Sequence, residues 1–224
     1  MAKTGRTDEK NRKEIAAMNR AVLGRLRSDD AVQVLMDDGL QLFGIPDFFS
    51  EDECERLMRM IDKCARPSPV FDVDYGKAAR TSYSGDLDPL DPFVRTLHRR
   101  MDDLMGVEEN WGETMQGQRY AVGQEFKAHH DWFDTGAPYW KGEVALGGQR
   151  AWTLMVYLND VEAGGATEFP KAQIAIPPQQ GTLVAWSNAK DDGRVNMDTL
   201  HAGTPVIAGV KYVVTRWYRA RPWY

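Results

Sequence analysis

The pattern of apolar and polar positions divides the chain into a helical first half and a strand-rich second half. Four apolar residues at helical spacing predict a first helix: Ile15, Met18, Val22 and Leu26. Ser28 has the character of an N-cap and indicates a short second helix that ends near Gly39. The segment "LQLFGIPDFF", residues 40–49, breaks the helical spacing and predicts a short strand.

Two later helices carry clear start signals. Ser50 followed by Glu53 three residues on forms a capping box, which predicts a helix whose apolar stripe is Cys54, Leu57, Met58, Ile61 and Ala65. Asp91 followed by Pro92 combines an N-cap with a first-turn proline. The stripe of that helix is Val94, Leu97, Met101 and Leu104.

From about residue 114 the pattern changes to short β runs that are separated by Gly, Pro and Asp. Strands are predicted near residues 115–122, 126–132, 150–159, 167–169, 173–176, 182–186, 199–206 and 211–219. Many short strands at this spacing are typical of a barrel or a two-sheet jelly roll. Because helices precede the strands, the predicted class is α+β, with helices packed on a β core. The irregular stretch 134–149 is long enough to predict a lid or a substrate loop.

Composition and charge narrow the class of protein. With 224 residues, 42% of them apolar, the chain is long enough for a globular domain with a sizeable core. The net charge of −5 argues against a nucleic-acid-binding protein. Residues 1–27 nevertheless hold eight Lys or Arg and three Asp or Glu. We therefore divide the chain into a basic N-terminal helical extension, residues 1–39, and a main domain, residues 40–224. The extension could dock an acidic partner or build a dimer interface, although a solvated helix packed on the barrel is the favoured interpretation.

Three further features bear on location and redox state. No apolar run reaches the length of a membrane helix, and the start "MAKTGRTDEKNRKE" lacks the apolar core of a signal peptide. Cys54 and Cys64 lie ten residues apart in one predicted helix, too far for a disulfide, so both are predicted to be free thiols. We expect a cytoplasmic protein that does not bind membranes.

The four histidines carry the candidate chemistry. On a strand, side chains alternate between faces, so His129 and Asp131 point one way and His130 points the other. An H-x-D triplet is weak on its own and needs a third ligand from another strand. His98 lies in the charged segment "LHRRMDD" and is predicted to be solvated, whereas His201 lies in a predicted strand. Two histidines and one carboxylate form the facial triad of non-haem Fe(II) oxygenases.

Several longer segments resemble one family. The blocks "RYAVGQEFKAHHDWFD", "RAWTLMVYLNDVEAGGATEFP", "LHAGTPVIAGVKYVVTRWYR" and "ARTS" are similar in order and spacing to the prolyl 4-hydroxylase family of 2-oxoglutarate-dependent Fe(II) dioxygenases. The resemblance covers about residues 40–219. It implies a double-stranded β-helix, a jelly-roll barrel with helices on the larger sheet, which makes residues 40–224 the dioxygenase domain.

The resemblance also implies roles for individual residues. Iron is expected on His129, Asp131 and His201, and the distal carboxylate of 2-oxoglutarate on Lys211. Arg216 is not expected to replace Lys211, because it faces the opposite side of the strand. The hydroxyls of Tyr120 and Thr167 are expected to help hold 2-oxoglutarate, and Arg150 and Trp217 to line a peptide groove. "RTS" at 80–82 matches a segment near a substrate-covering loop, and Tyr139 and Trp140 could stack on a proline ring.

The activity implied is hydroxylation of a prolyl residue, at C4, in a peptide or protein, with release of succinate and CO2. The cofactors implied are Fe(II), 2-oxoglutarate, O2 and ascorbate. The partner expected is a proline-containing peptide or protein, and the assembly a monomer or homodimer. The same chemistry on a free amino acid or small metabolite is the alternative, and a catalytically silent jelly-roll binding module is a further one.

Overall fold

The computed structural model of the protein describes residues 2–68 and 80–224, with side chains from residue 9 onward. Ala79, the first residue of the "ARTS" block, lies outside the described residues. The helices are α1 (Ala2–Arg27), α2 (Glu51–Cys64), α3 (Pro92–Met105) and α4 (Trp140–Ala145). The predicted caps are present. Ser50 Oγ accepts a hydrogen bond from the backbone N–H of Glu53 while the Glu53 carboxylate accepts from that of Ser50, and Asp91 caps α3.

The described residues also form two short 3-10 helices, Glu109–Trp111 and Met197–Thr199, and fourteen strands. They are β1 (Gln33–Asp38), β2 (Leu40–Ile45), β3 (Arg66–Pro67), β4 (Tyr83–Asp86), β5 (Gln116–Tyr120), β6 (Phe126–His129), β7 (Arg150–Tyr157), β8 (Ala163–Gly164), β9 (Thr167–Phe169), β10 (Ile174–Ile176), β11 (Leu183–Ser187), β12 (His201–Gly203), β13 (Val206–Ala208) and β14 (Lys211–Arg219). The predicted strands at 167–169 and 211–219 have these bounds in the structure, and the α+β class is confirmed.

The strands form a double-stranded β-helix. The major sheet has eight strands in the order β1-β2-β11-β7-β14-β5-β4-β3, and the minor sheet has four in the order β10-β9-β12-β6. Every described pairing within these sheets is antiparallel. Strands β8 and β13 form a separate pair. Of the barrel and the two-sheet jelly roll that the strand spacing allowed, the chain has the jelly roll, as the family resemblance implied.

The apolar core is split by the major sheet. One cluster joins α1, α2 and α3 to the outer face of the sheet and includes Ile15, Leu57, Leu97, Leu154 and Val214. The other fills the barrel between the two sheets and includes Tyr120, Tyr157, Phe169, Trp186 and Val213. Successive residues of a strand face opposite sides, so each strand of this sheet contributes to both clusters. As predicted, the helices pack on the larger sheet.

Residues 28–39 were expected to form a short helix, and this expectation is wrong. Residues 33–38 instead form β1, the edge strand of the major sheet, paired antiparallel with β2. Gly39 joins the two strands with φ of 75°, a left-handed conformation that glycine adopts without strain. Cross-strand pairing thus overrides the local helix signals. The division of the chain at residue 39 stays a prediction, although β1 is hydrogen-bonded to the main sheet.

Four other expectations need adjustment. The strand expected at 199–206 is divided between β12 and β13, and β6 ends at His129, so that Asp131 lies just beyond the strand. The irregular stretch 134–149 contains the short helix α4. The surface position expected for His98 is wrong: its side chain is buried between α3 and the sheet, beside Arg216, and burial lowers its pKa to about 3.

Cys54 is buried, Cys64 is half-buried, and both are free thiols as predicted. Burial raises the pKa of the Cys54 thiol to about 11, so it remains protonated and packs as a small apolar group. Among the described helices, none combines the length and the apolar character that crossing a membrane requires.

Candidate active site

His129 and His201 are brought together by strand pairing in the minor sheet. The two residues are direct cross-strand partners on β6 and β12, and their ring centroids are 4.3 Å apart. Asp131 reaches the same point: its Oδ1 lies 3.8 Å from His129 Nε2 and its Oδ2 lies 3.8 Å from His201 Nε2. One possible ligand atom from each of the three residues lies within 4.8 Å of the other two. The three side chains thus converge on one point at the edge of the barrel interior.

The protonation of both imidazoles is fixed by backbone carbonyls. His129 Nδ1–H donates to the carbonyl oxygen of Lys127 at 2.8 Å, and His201 Nδ1–H donates to that of Thr199 at 2.9 Å. A carbonyl oxygen can only accept, so each neutral ring carries its proton on Nδ1 and has a lone pair on Nε2. Both Nε2 atoms face Asp131. Outer hydrogen bonds of this kind orient histidine ligands in metal sites.

The carboxylate of Asp131 is buried and hydrogen-bonded. Thr153 Oγ1 donates to its Oδ2 at 2.7 Å, and Asn188 Nδ2 donates to Thr153 Oγ1 at 2.9 Å. Burial alone would raise the pKa of the carboxyl group. The neighbouring side chains of His201, His129 and Arg150 and the hydrogen bond from Thr153 favour the ionised carboxylate and outweigh burial, so that the pKa of Asp131 is lowered and the group is an anion. Burial lowers the pKa of His129, which keeps its imidazole neutral.

This donor set fits a divalent transition metal. Two neutral imidazole nitrogens and one carboxylate, on one side of a cavity, match the three-ligand facial set that leaves coordination positions open. His130 is turned away from the other two histidines, and its Nε2 lies 3.2 Å from the carbonyl oxygen of Met197. His130 and Asp131 lie beyond the end of β6, and the expected separation of His130 from the three residues that converge is nevertheless present.

Lys211 places a buried cation in the barrel interior. Its side chain is 3% exposed, and burial lowers its pKa to about 7. Its ammonium lies 5.5 Å from the ring centroid of Tyr120 and 5.4 Å from that of Tyr157. In the described part of the chain no carboxylate forms an ion pair with it. A buried ammonium without a counter-ion is expensive unless an anion is to join it.

The ammonium of Lys211 is close to the strand that carries His201. A Cβ built on Gly203 would lie 4.0 Å from Lys211 Nζ, so the ammonium reaches across the barrel to β12. Gly203 follows His201 by two residues, a rise of about 6.6 Å along a strand. The cation and the three converging side chains therefore lie beside the same strand of the barrel, two residues apart along it.

Tyr120 and Thr167 lie beside this space. Tyr120 is the cross-strand partner of Lys211, and its hydroxyl donates to Gln118 Oε1 at 2.8 Å. Thr167 is buried and is the cross-strand partner of Gly203 on the minor sheet. Both hydroxyl-bearing residues thus flank the Lys211 ammonium, one from each sheet.

Arg150 and Trp217 form one stacked unit. The Arg150 guanidinium lies 3.8 Å from the Trp217 ring centroid and 4.8 Å from that of Phe133. Glu113 holds the guanidinium with two bonds, from Nε at 2.6 Å and from Nη2 at 2.7 Å. A bidentate pair of this kind fixes the plane of the arginine. Arg150 is therefore not an isolated surface residue, and the buried Trp217 ring packs directly against its guanidinium.

Arg219 connects this unit to the 134–149 segment. Its guanidinium donates to the same Glu113 carboxylate at 2.5 Å, and it forms a 2.8 Å ion pair with Glu143 of α4. It also donates to the Gly148 carbonyl oxygen at 2.5 Å. Tyr139 of the same segment packs edge-on against Phe133, with ring centroids 6.1 Å apart. The predicted lid segment is thus anchored to the arginine and aromatic cluster.

The "RTS" segment adds a second arginine near the triad. Arg80 stacks over Phe126 at 4.8 Å, and Phe126 is stacked on the His129 ring at 3.6 Å between centroids. Arg80 also donates to Ser82 Oγ at 2.9 Å and to Gln116 Oε1 at 3.1 Å. The segment therefore lies next to the candidate ligand His129, and its expected position near a substrate-covering loop stays a prediction.

Sequence reasoning missed Thr153, Asn188 and Glu113. Thr153 gives a local signal, because it is the polar residue of the apolar strand segment "AWTLMVYL". Glu113 and Asn188 act through partners far along the chain, 37 and 35 residues away. No local pattern marks such contacts.

Comparison with known proteins agrees with this geometry. Residues 115–219 match the 2OG-Fe(II) oxygenase superfamily. The chain is 32% identical over 196 residues to the Arabidopsis thaliana protein named Probable prolyl 4-hydroxylase 8, covering 76% of this chain and 66% of that protein. It is 30% identical over 207 residues to prolyl 4-hydroxylase subunit alpha-1 of Gallus gallus, covering 90% of this chain and 39% of the subunit. The chain thus spans about two thirds of the plant relative and well under half of the bird subunit.

Solved structures show the same fold. The viral collagen prolyl hydroxylase of Paramecium bursaria Chlorella virus-1, solved as a 2OG complex, superposes with a TM-score of 0.63 at 26% identity, over 80% of this chain and 95% of that one. A Pseudomonas putida prolyl-4-hydroxylase shares the fold, with a TM-score of 0.59 at 18% identity over 92% of this chain and 99% of that one. The matched sequence segments, the jelly roll and the converging His-Asp-His side chains lead to one conclusion: the chain belongs to the 2OG-Fe(II) oxygenase superfamily and is similar to prolyl 4-hydroxylases.

Proposed function

We propose that this protein is a 2-oxoglutarate- and Fe(II)-dependent dioxygenase that hydroxylates a prolyl residue, at C4, in a peptide or protein. The observation that carries the proposal is the pairing of two features in one barrel. A three-residue donor set for a divalent metal lies on one wall of the interior, and a buried ammonium that has no counter-ion among the described residues lies on the opposite wall. A metal that chelates one end of a dicarboxylate and a cation that binds the other end account for both.

His129, Asp131 and His201 would hold the iron through the two Nε2 atoms and the carboxylate. When bound, the iron lets O2 and 2-oxoglutarate together oxidise a substrate C–H bond, yielding succinate, CO2 and the hydroxylated proline. The chain's own contribution is to fix the ligands. The carbonyl oxygens of Lys127 and Thr199 hold the imidazole protons on Nδ1, and Thr153 holds the Asp131 carboxylate.

Lys211 would bind the distal carboxylate of 2-oxoglutarate, with Tyr120 and Thr167 at its sides. The anion would supply the counter-charge that Lys211 lacks among the described residues, and would raise its pKa from about 7. Burial by Tyr120 and Tyr157 keeps water away from the ion pair and thereby strengthens it. The Tyr120 hydroxyl, which donates to Gln118, still has a lone pair with which to accept.

Arg150 and Trp217 would form one wall of the substrate groove. The stacked guanidinium and indole present a rigid, partly apolar surface beside Asp131, on which a proline ring can pack. The solved viral relative is named a collagen prolyl hydroxylase, which supports a peptide or protein as the substrate here. Ascorbate dependence, a cytoplasmic location and a monomeric or homodimeric assembly complete the proposal.

The experiment that tests the proposal is a turnover assay on proline-containing peptides. Purified protein, Fe(II), 2-oxoglutarate, ascorbate and O2 are incubated with a peptide library, and mass spectrometry measures the gain of one oxygen atom. The expected result is hydroxyproline formed in step with succinate. His129→Ala should abolish both products, and Glu55→Gln, a surface change on α2, should abolish neither. Succinate release that is stimulated by free amino acids and not by any peptide would overturn the assignment of the substrate.

A further inference from the structure

Thr153 lies at the centre of the major sheet and is completely buried. Its cross-strand partners are Trp186 on β11 and Trp217 on β14, so two tryptophans flank it. A β-branched side chain in this setting has little freedom about χ1. The direction of its hydroxyl oxygen is therefore fixed by the sheet and is aimed at Asp131.

The donors and acceptors in the hydrogen bonds of Thr153 follow from its single hydroxyl hydrogen. Asp131 is an anion and can only accept, so the single hydroxyl hydrogen of Thr153 is used on Asp131 Oδ2. Thr153 Oγ1 can then interact with Asn188 only as an acceptor, which requires that the amide nitrogen of Asn188 face it, at 2.9 Å. The order of donation is Asn188 to Thr153 to Asp131.

Two backbone hydrogen bonds fix the position of Asn188, the first donor in this series of hydrogen bonds. Its N–H donates to the Ala151 carbonyl oxygen at 2.8 Å, and its own carbonyl oxygen accepts from Asn196 N–H at 2.9 Å. Its side-chain Oδ1 is buried and has no hydrogen-bond partner within the described residues. An unsatisfied buried acceptor costs about 1–3 kcal/mol. Among the described residues, the hydrogen bond to Thr153 is therefore the contact that orients the side-chain amide of Asn188.

The two carboxylate oxygens of Asp131 are consequently unequal. Oδ2 is engaged by the Thr153 hydroxyl, whereas Oδ1, 3.8 Å from His129 Nε2, accepts no side-chain hydrogen bond among the described residues. We infer that Thr153 and Asn188 are positioning residues that hold Oδ2, present Oδ1 to the metal, and so set the metal affinity of the triad. This inference rests on the proposed function, because it concerns the same iron site.

The test uses Mn²⁺ as a probe that does not oxidise in air, with its dissociation constant measured by titration calorimetry without co-substrate. Thr153→Val, which removes the hydroxyl at nearly constant volume, should weaken Mn²⁺ binding roughly 10- to 100-fold. Thr153→Ser should restore most of the affinity. Asn188→Asp should also weaken binding, because its carboxylate would draw the Thr153 hydrogen away from Asp131.

The matched control is Thr182→Val, which removes a buried hydroxyl that has no partner among the described residues. Thermal unfolding of each metal-free variant separates a loss of folding from a loss of binding. Thr153→Val and Asn188→Asp variants that fold like Thr182→Val and bind Mn²⁺ as tightly would overturn the inference while leaving the proposed iron site intact. If the unaltered protein does not bind Mn²⁺, or if His129→Ala binds it equally well, the iron site itself is wrong and the inference fails with it.

Discussion

Arg216 and Lys211 are two buried cations on one strand, β14, and they have opposite surroundings. Arg216 faces the helices, donates to the carbonyl oxygens of Glu113 and Glu109, and forms a 2.9 Å ion pair with Asp102. Lys211 faces the barrel and is surrounded by tyrosine rings, with no carboxylate partner among the described residues. The charge of Arg216 is neutralised by Asp102 within the folded protein. We interpret the charge of Lys211, which has no such partner among the described residues, as a binding site for an anionic ligand.

The same division holds for the two kinds of buried histidine. His98, on the helix side, is buried beside Arg216 and lies outside any described cluster of possible metal ligands. His129 and His201, on the barrel side, have their Nδ1 protons fixed and their Nε2 atoms directed at one carboxylate. The side of the sheet, rather than burial itself, distinguishes a packing histidine from a candidate ligand.

The largest effect on stability is expected from breaking the buried ion pair between Arg216 and Asp102. Asp102→Ala removes the partner of Arg216 and also the acceptor of the Tyr218 hydroxyl, so it should lower the free energy of unfolding by about 3–5 kcal/mol. Chemical denaturation measures this loss, with Asp103→Ala, a change at the exposed neighbouring position, as the control. Equal stability of the two variants would show that the helix-side pair is not structural.

Removing the ammonium of Lys211, which has no counter-ion among the described residues, should raise the free energy of unfolding instead of lowering it. The pKa of Lys211 is about 7 in the folded protein and about 10.4 in an unfolded chain, so between these pH values the unfolded state binds more protons. Stability of the ligand-free protein should therefore rise with pH from about 7 to about 10, by up to about 1.4 kcal/mol per pH unit. Lys211→Met should be at least as stable as the unaltered protein at pH 7 and should lack this rise. Denaturation curves give the free energy of unfolding of both proteins across this pH range. A difference between the two proteins that stays constant with pH would contradict the claim that Lys211 is an uncompensated buried cation.

A smaller effect is expected at the arginine and aromatic cluster. Glu113→Gln leaves Arg150 and Arg219 without their shared anion, which should loosen the wall on which the peptide is proposed to pack. Loss of a hydrogen bond to a charged group is worth about 1.5–3 kcal/mol, so KM for a peptide substrate should rise roughly tenfold or more. The affinity for 2-oxoglutarate, measured separately, should stay within about twofold. A change in both constants to the same extent would mean that Glu113 supports the whole barrel.

The smallest effect is expected at His130, the neighbour of a proposed ligand. His130→Ala removes a single 3.2 Å contact with a backbone carbonyl oxygen, so metal affinity should change by no more than about threefold. His129→Ala in the same titration should lose at least about a hundredfold. Similar losses in the two variants would mean that the alternation of side chains along the strand selects the wrong histidine.

Much of this site follows from local patterns in the sequence. The period-two alternation by itself separates His129 and Asp131 from His130, and Lys211 from Arg216. Capping signals locate the starts of α2 and α3 correctly. Many short strands with turn residues between them indicate a barrel or a jelly roll, and the family resemblance selects the jelly roll. These features depend on neighbours within a few residues.

The features that the sequence does not predict depend on distant partners. The helix expected at residues 28–39 is a strand because β2 supplies its hydrogen bonds, and His98 is buried because α3 packs against the sheet beside Arg216. The bond from Thr153 to Asp131 joins the middle of one sheet to the end of a strand in the other. Charged and polar residues that find partners across the barrel give no periodic signal along the chain.

The most direct test of the central claim is an anaerobic titration of the protein with Fe(II) and 2-oxoglutarate, following the weak visible charge-transfer band of the chelated complex. We predict a band in the unaltered protein and in Lys211→Met, with the variant requiring about a hundredfold more 2-oxoglutarate, because a buried charge pair is lost. His129→Ala should show no band. A band that forms at the same 2-oxoglutarate concentration with and without the Lys211 ammonium would contradict the claim that this buried charge is kept for the ligand.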